Sequence, residues 1–140
     1  MDKEKMLQDL GGGAVFDMGR ENTAFAKYFV GQSYLSMLTT ERVPVGNVTF
    51  EPGCRNNWHI HHQGGQILLV TGGRGWYQAW GEAPRALKTG DIVNIPPEVK
   101  HWHGAAKDSW FQHLAIEVPA EGAVNEWLEP VSDEDYAKLD

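Results

Sequence analysis

Residues 58–62 read Trp58-His59-Ile60-His61-His62, and this phrase holds three of the six histidines of the 140-residue chain. Side chains alternate between the two faces of a β-strand, so His59 and His61 project from the same face and can converge on one point. Neutral imidazole is the commonest metal ligand in proteins. The phrase therefore predicts a strand that carries part of a metal site, with His62 directed away from it.

A second histidine pair, His101-Trp102-His103, repeats the same spacing further along the chain. All six histidines lie between positions 59 and 113, which random scatter does not explain. A single pair is more often structural than metal-binding. Two pairs on facing strands, however, could supply three or four ligands, and this combination favours a metal site over structural histidines.

The middle of the chain lacks helical periodicity and consists of short runs rich in β-branched and aromatic residues, separated by Gly, Pro and Asn. Such spacing is typical of an antiparallel β-sandwich or barrel, so we predict an all-β fold. The predicted strands are residues 25–30, 34–38, 45–50, 57–61, 67–71, 76–80, 85–88, 92–95, 101–104 and 111–118.

The length suits a single domain over residues 1–140. Residues 1–23, which include Gly11-Gly12-Gly13, are interpreted as an N-terminal arm, residues 24–119 as the β-barrel and residues 120–140 as a C-terminal segment. Ser132 followed by three acidic residues predicts the start of a short C-terminal helix.

The formal net charge of −7, without any basic run, argues against nucleic acid or an anionic membrane as the main partner. A small molecule or another protein is the expected partner. The start of the chain does not resemble a signal peptide and no apolar stretch is long enough to cross a bilayer, so we expect a cytoplasmic protein. The single cysteine, Cys54, is interpreted as a small apolar turn residue.

Two stretches of the chain resemble the paired motifs of the cupin family. The first family motif is Gly-x5-His-x-His-x3–4-Glu-x6-Gly, and here it stands as Gly53, His59, His61, Gln66 and Gly73 with matching spacing. The departure is Gln66, which occupies the position of the family's glutamate ligand. The resemblance implies a jelly-roll β-barrel with a metal site.

The second family motif is Gly-x5-Pro-x-Gly-x2-His-x3-Asn. It stands here as Gly90, Pro96, Glu98, His101 and Ala105. Glu98 and Ala105 replace a turn glycine and an asparagine, neither of which is a metal ligand in the family, so these departures affect local loop geometry alone.

More narrowly, the phrases around both motifs resemble the small bacterial cupins that include the manganese-dependent hydroxynitrile lyases, which also place glutamine at the fourth ligand position. This resemblance implies a divalent metal, manganese before Fe, Ni, Co or Zn. Three imidazoles and a carboxamide would leave the ion with a formal charge of about +2, a stronger Lewis acid than with glutamate. The implied ligands are His59, His61, Gln66 and His101.

Two further histidines are candidates for proton transfer beside the metal. His103 shares the face of His101, and His113 comes from a predicted neighbouring strand, although either could instead have only a hydrogen-bonding role. The candidate pocket walls, each of which could equally be plain core, are Tyr77, Gln78, Trp102 and Phe111.

The resulting hypothesis is a metal-dependent carbon–carbon lyase of hydroxynitrile-lyase type that acts on a small organic molecule. A cupin dioxygenase of quercetinase type and a non-catalytic small-molecule or metal-binding module remain alternatives. Apolar residues also lie on the strand face away from the histidines, and a second sheet, or association into a homodimer or higher homo-oligomer, is expected to cover them. These residues are Trp58, Ile60, Ile67, Leu69, Leu114 and Ile116.

Overall fold

The computed structural model describes residues 1–11 and 15–139, so Gly12 and Gly13 of the predicted arm lie outside the described residues. The chain forms a curled, mostly antiparallel β-sheet with short helices at both ends, which confirms the predicted fold class. The elements are α1 (Lys3–Asp9), β1 (Arg20–Glu21), a 3₁₀ turn (Ala26–Tyr28), β2 (Phe29–Val30), β3 (Ser33–Thr39), β4 (Val45–Phe50), β5 (Arg55–Asn56), β6 (His59–His62), β7 (Gln66–Ala79), β8 (Arg85–Lys88), β9 (Ile92–Ile95), β10 (His101–Ala105), β11 (Phe111–Glu117), β12 (Val124–Trp127) and α2 (Asp133–Ala137).

Strand β7 connects the two halves of the barrel. Its first half pairs with β9 and β11, and its second half pairs with β8 and β10. We predicted two strands here, at 67–71 and 76–80, with a glycine turn between them, and this prediction was wrong. At Gly73 (φ +74°) a Cβ atom would come within 1.8 Å of the Trp110 carbonyl oxygen. Glycine is therefore required because the backbones of β7 and the Trp110 segment lie close together, and it does not mark a turn between two strands.

The barrel interior is filled by apolar side chains at one end, and the histidines lie beside them. The core includes Phe50, Leu68, Ile95 and Phe111, each at most 1% exposed. Cys54 is also fully buried there, as expected for a small apolar residue, and burial raises the pKa of its thiol to about 12. The core therefore supports the walls that carry the histidines.

The N-terminal segment contains a helix that the sequence analysis did not predict. Asp2 caps α1 by accepting a hydrogen bond from the backbone N–H of Lys5 at 3.0 Å. Met6 and Leu10 of this segment pack against Tyr34 and Trp110 on the outside of the barrel. The N-terminal segment thus covers part of the outer surface of its own chain.

The C-terminal helix α2 covers another part of the outer surface. Ser132 caps it as predicted, accepting a hydrogen bond from the N–H of Asp135 at 3.1 Å. Tyr136 packs with Trp58 and Trp102, and the buried Arg55 contacts Asp133 at 2.6 Å. Trp58, which we expected to need a second sheet or subunit, is therefore covered by its own C-terminal segment.

The predicted strand over residues 25–30 is also corrected by the structure. Residues 26–28 form a 3₁₀ turn, and extended pairing begins at Phe29, opposite Asn56 of β5. The N–H of Tyr28 donates to the carbonyl of Phe25 at 2.9 Å, which closes the turn. Among the described residues, no helix has the length and hydropathy needed to span a bilayer.

One apolar row on the outer sheet face remains partly exposed. Register places Ile92, Leu69 and Leu114 side by side across β9, β7 and β11, and Ile67 beside Ile116 in the next row. Ile92 is 59% exposed. Exposed apolar surface costs on the order of 25 cal/mol per Å², so we propose that a second copy of the chain covers this row in a homodimer.

Replacement of Ile92 by Lys should shift the protein from dimer to monomer, because it places a charge within the apolar row. Light scattering at micromolar concentration measures the change. Val124→Lys is the matched control, since Val124 is also 59% exposed but lies on β12, outside the row. A parent protein that is monomeric at this concentration would contradict the proposal.

Candidate metal centre

Three imidazoles meet where β6 and β10 pair. His59 and His61 project from the same face of β6, and the antiparallel register sets His101 directly opposite His59. One ring nitrogen from each of the three lies within 4.8 Å of the others. All three side chains are buried, with at most 4% exposure. The predicted convergence of the two histidine pairs is therefore present at these three residues.

Backbone carbonyls determine the tautomer of two of these rings. The Nδ1 of His59 lies 2.8 Å from the carbonyl oxygen of Asn57, and the Nδ1 of His101 lies 2.8 Å from that of Val99. Because a carbonyl only accepts, each Nδ1 carries the proton and donates it. The lone pair is then on Nε2, as a metal ligand requires.

Asn125 of β12 plays the same role for the third ring. Its Oδ1 lies 2.7 Å from the Nδ1 of His61, and the two residues face each other in the β12–β6 register. The Nε2 atoms of His61 and His101 are buried and have no hydrogen-bond partner among the described residues. Buried polar atoms are rarely left unpaired, so a group outside the protein chain should bind them.

Gln66 presents a third unpaired atom of the same kind. It begins β7, is 6% exposed, and its Nε2 donates a hydrogen bond to Glu117 Oε1 at 2.5 Å. Its Oε1 is buried and has no partner among the described residues. The three histidines fit a divalent metal ion, and Gln66 lines the same cavity as His59 and His61.

Burial keeps two of the three converging imidazoles, those of His59 and His101, neutral. Desolvation lowers the pKa of His101 to about 4, and desolvation together with the neighbouring His101 lowers the pKa of His59 well below its ordinary value. A metal binds only the neutral ring, so these histidines do not have to lose a proton at neutral pH. The environment therefore favours metal binding.

His103 and His113 form a second histidine pair next to the first group. His113 Nε2 lies 3.1 Å from His103 Nδ1, and both side chains are at most 5% exposed. Burial lowers both pKa values, that of His113 to about 4. Asn56 Oδ1 accepts a hydrogen bond from the backbone N–H of His103 at 3.0 Å and so holds β10 in place. The pair is neutral at neutral pH.

The cavity in front of these histidines has a volume of about 170 Å³. Trp127 of β12 closes one side, stacking on His59 at a centroid distance of 4.7 Å and on Tyr28 at 4.6 Å. Most of the remaining wall is apolar, so the cavity suits a small organic molecule. The apolar lining residues are Phe25, Phe29, Leu35, Met37, Pro44, Val48 and Ala115.

None of the four candidate pocket walls lines this cavity. Trp102 and Gln78 face the opposite side of the sheet, where the Trp102 indole N–H donates to Gln78 Oε1 at 3.0 Å. Phe111 belongs to the core, and Tyr77 packs near His101 without lining the cavity. Their placement follows strand alternation, because Trp102 lies between His101 and His103 and must face away from both.

His62 faces away from the other histidines, as the alternation predicted. Its two ring nitrogens contact Glu98 at 2.5 Å and Glu126 at 2.8 Å, and these carboxylates raise its pKa. Glu98, which replaces the motif glycine, adopts a positive φ of 69°. Its carboxylate accepts a hydrogen bond from the N–H of Gln63 at 2.8 Å, so it links the turn at Glu98 to the turn that follows β6.

The sequence analysis missed three residues at the centre, namely Glu117, Asn125 and Trp127. Asn125 and Trp127 reach the histidines because β12 pairs with β6. Glu117 reaches Gln66 because the β11–β7 register places the two residues opposite each other. Strand β12 has one apolar residue at each end and is largely exposed, so it gave no strand signal.

Comparison with known proteins identifies the family. The model of the cupin domain matches residues 46–116, just over half of the chain. The chain belongs to the cupin family. This cupin is 47% identical over 92 residues to the (R)-mandelonitrile lyase of Granulicella tundricola, covering 66% of this chain and 70% of that protein. The resemblance to hydroxynitrile lyases is thereby confirmed.

Solved structures agree with the fold. A cupin-like protein from Thermotoga maritima superposes with a TM-score of 0.83 and 42% identity, covering 90% of this cupin and 96% of that chain. A DMSP lyase from Ruegeria pomeroyi superposes with a TM-score of 0.60 at 18% identity, covering 86% and 62%. At that identity the second likeness shows the fold alone.

Replacement of His61 or His101 by Ala should sharply reduce bound metal, because each change removes one of the converging imidazoles. The barrel should stay folded, since its core is apolar. Elemental analysis after loading with Mn²⁺ measures metal content, and circular dichroism checks the fold. His62→Ala, an adjacent imidazole on the opposite face, should keep the parent's metal content. Stoichiometric metal in both ligand variants would refute the assignment.

Proposed function

We propose that this cupin is a metal-dependent carbon–carbon lyase of hydroxynitrile-lyase type that cleaves small cyanohydrins. One observation carries the proposal: buried atoms of His61, His101 and Gln66 have no hydrogen-bond partner among the described residues, beside an apolar cavity. His61, Gln66 and the neutral pair His103 and His113 line that cavity. The 47% identity to a protein named (R)-mandelonitrile lyase supports the same reaction class.

The proposed metal ligands are His59, His61, His101 and Gln66, and the proposed ion is Mn²⁺. Imidazole and carboxamide donors without a thiolate suit such an ion, although the donors alone do not separate it from Fe²⁺, Ni²⁺, Co²⁺ or Zn²⁺. The preference for manganese follows from the resemblance to the manganese-dependent hydroxynitrile lyases. When bound, the ion supplies Lewis acidity toward the hydroxyl oxygen of the substrate.

His103 is the proposed proton carrier. It lines the cavity and is neutral, so it can accept the hydroxyl proton of the cyanohydrin. As the carbonyl double bond forms, the bond to the nitrile carbon breaks and its electron pair leaves with cyanide. The proton held by His103 then passes to cyanide, so the products are an aldehyde and hydrogen cyanide and the histidine returns to its starting state.

His113 is proposed to act on His103. Its Nε2 lies 3.1 Å from His103 Nδ1. A hydrogen bond at Nδ1 fixes the ring orientation of His103, and a neutral partner can share the charge that His103 gains. The aromatic side chains of Phe25, Phe29 and Trp127 then hold the apolar group of the cyanohydrin against the histidines.

The test of this function is the release of cyanide from racemic mandelonitrile by protein that has been stripped with chelator and reloaded with Mn²⁺. We expect equal amounts of cyanide and benzaldehyde from the reloaded protein. The stripped protein and the His101→Ala variant serve as controls and should stay near the uncatalysed rate. Metal-loaded protein that releases no cyanide would reject the proposed reaction.

The proton-carrier role predicts that His103→Ala lowers turnover by about 10²- to 10⁴-fold, the usual contribution of a positioned acid or base. Metal content should stay near that of the parent, because His103 is not a proposed ligand. His113→Ala should cause a smaller loss, since it removes the orienting partner and leaves the proton carrier. Turnover that is unchanged in His103→Ala would refute the role, and lost metal would make His103 a ligand.

A further inference from the structure

The contact between Gln66 and Glu117 pairs one end of the Gln66 carboxamide and leaves the other end without a partner among the described residues. Gln66 begins β7 and Glu117 ends β11, and register pairs them directly across the sheet. The Gln66 Nε2 donates to Glu117 Oε1 at 2.5 Å, and Gln66 Oε1 is left buried without a partner among the described residues. The second carboxylate oxygen of Glu117 lies 3.5 Å from His61 Nδ1.

A carboxamide has two chemically different ends of nearly equal size. The oxygen can bind a cation, whereas the NH₂ group only donates hydrogen bonds and repels one. A carboxylate only accepts, so it pairs with the NH₂ end and leaves the oxygen free. Gln66 is 6% exposed, so water does not replace this partner easily.

We propose that Glu117 is a positioning residue that fixes the Gln66 carboxamide with its oxygen toward His59, His61 and His101. This inference rests on the proposed function, because it gives Glu117 a role only if Gln66 is a metal ligand. Outer partners of this kind typically change metal affinity by 10- to 100-fold.

The same contact explains why an amide and a carboxylate form a matched pair. If position 66 carried glutamate, two carboxylates would meet at hydrogen-bond distance, and their repulsion would disfavour the doubly ionised state. A glutamate at 66 would also need no orienting partner, because its two oxygens are equivalent. The effect of Glu117 on metal affinity should therefore depend on the residue at position 66.

The experiment measures Mn²⁺ affinity of stripped protein by calorimetric titration, with thermal melting as a check on folding. Glu117→Ala should weaken Mn²⁺ binding by about 10- to 100-fold in the parent. Glu117→Gln should keep most of the affinity, because a glutamine oxygen also accepts the Gln66 N–H. In a Gln66→Glu background, Glu117→Ala should leave affinity unchanged or tighten it, since it removes a like charge.

Two controls separate orientation from other effects. Glu126→Ala also removes one carboxylate near the site, but Glu126 contacts His62, so it should change affinity less than Glu117→Ala. A loss that reached the metal through the Glu117–His61 contact would occur whichever residue stands at position 66. Equal weakening by Glu117→Ala in both backgrounds would therefore overturn the inference, as would a Glu117→Gln variant as weak as Glu117→Ala.

Gln66→Ala distinguishes this inference from the proposed function. If Gln66→Ala keeps the parent's affinity, Gln66 is not a ligand, and both the proposed ligand set and the role of Glu117 fail. If Gln66→Ala weakens binding while Glu117→Ala does not, the ligand set stands and the positioning role alone is rejected. Weakening by both changes, with the dependence on position 66 described above, supports the inference.

Discussion

The register between β6 and β10 is the constraint on which the candidate metal centre depends. Antiparallel pairing of His101 with His59 brings the two histidine pairs to one side of the sheet. A slip of one residue would direct Trp102 into the cavity and His101 outward, since side chains alternate along a strand. The aromatic cluster under α2, in which Trp102 packs with Tyr136, opposes this slip. Packing on the outer face of the sheet thus determines which side chains lie on its inner face.

Much of the fold and part of the site could be read from local sequence. Alternation placed His59 and His61 on one face and His62 on the other, and β4 has the predicted bounds. The glycines after residue 71 were misinterpreted, because glycine marks both turns and places where two backbones come close. At Gly73 the second cause applies, and only the position of Trp110 reveals it.

The residues that complete the site could not be identified from local sequence patterns. Asn125 and Glu117 matter because of the strands they face, and such pairings join positions more than fifty residues apart, as for His61 with Asn125. Neither residue belongs to a motif that names a function. A carboxylate and an amide are common surface groups, so neither residue type indicates a site. The contact with Glu117 orients the Gln66 carboxamide because Gln66 is buried, where water does not compete for its N–H.

The place of β12 in the chain has a consequence for assembly during synthesis. The histidines of the triad end at residue 101, whereas the Asn125 oxygen that fixes the tautomer of His61 comes more than twenty residues later. Trp127, which stacks on His59, comes later still. A nascent chain that has exposed its three imidazoles but not β12 therefore lacks the contact that fixes His61 in the tautomer that the proposed metal centre requires.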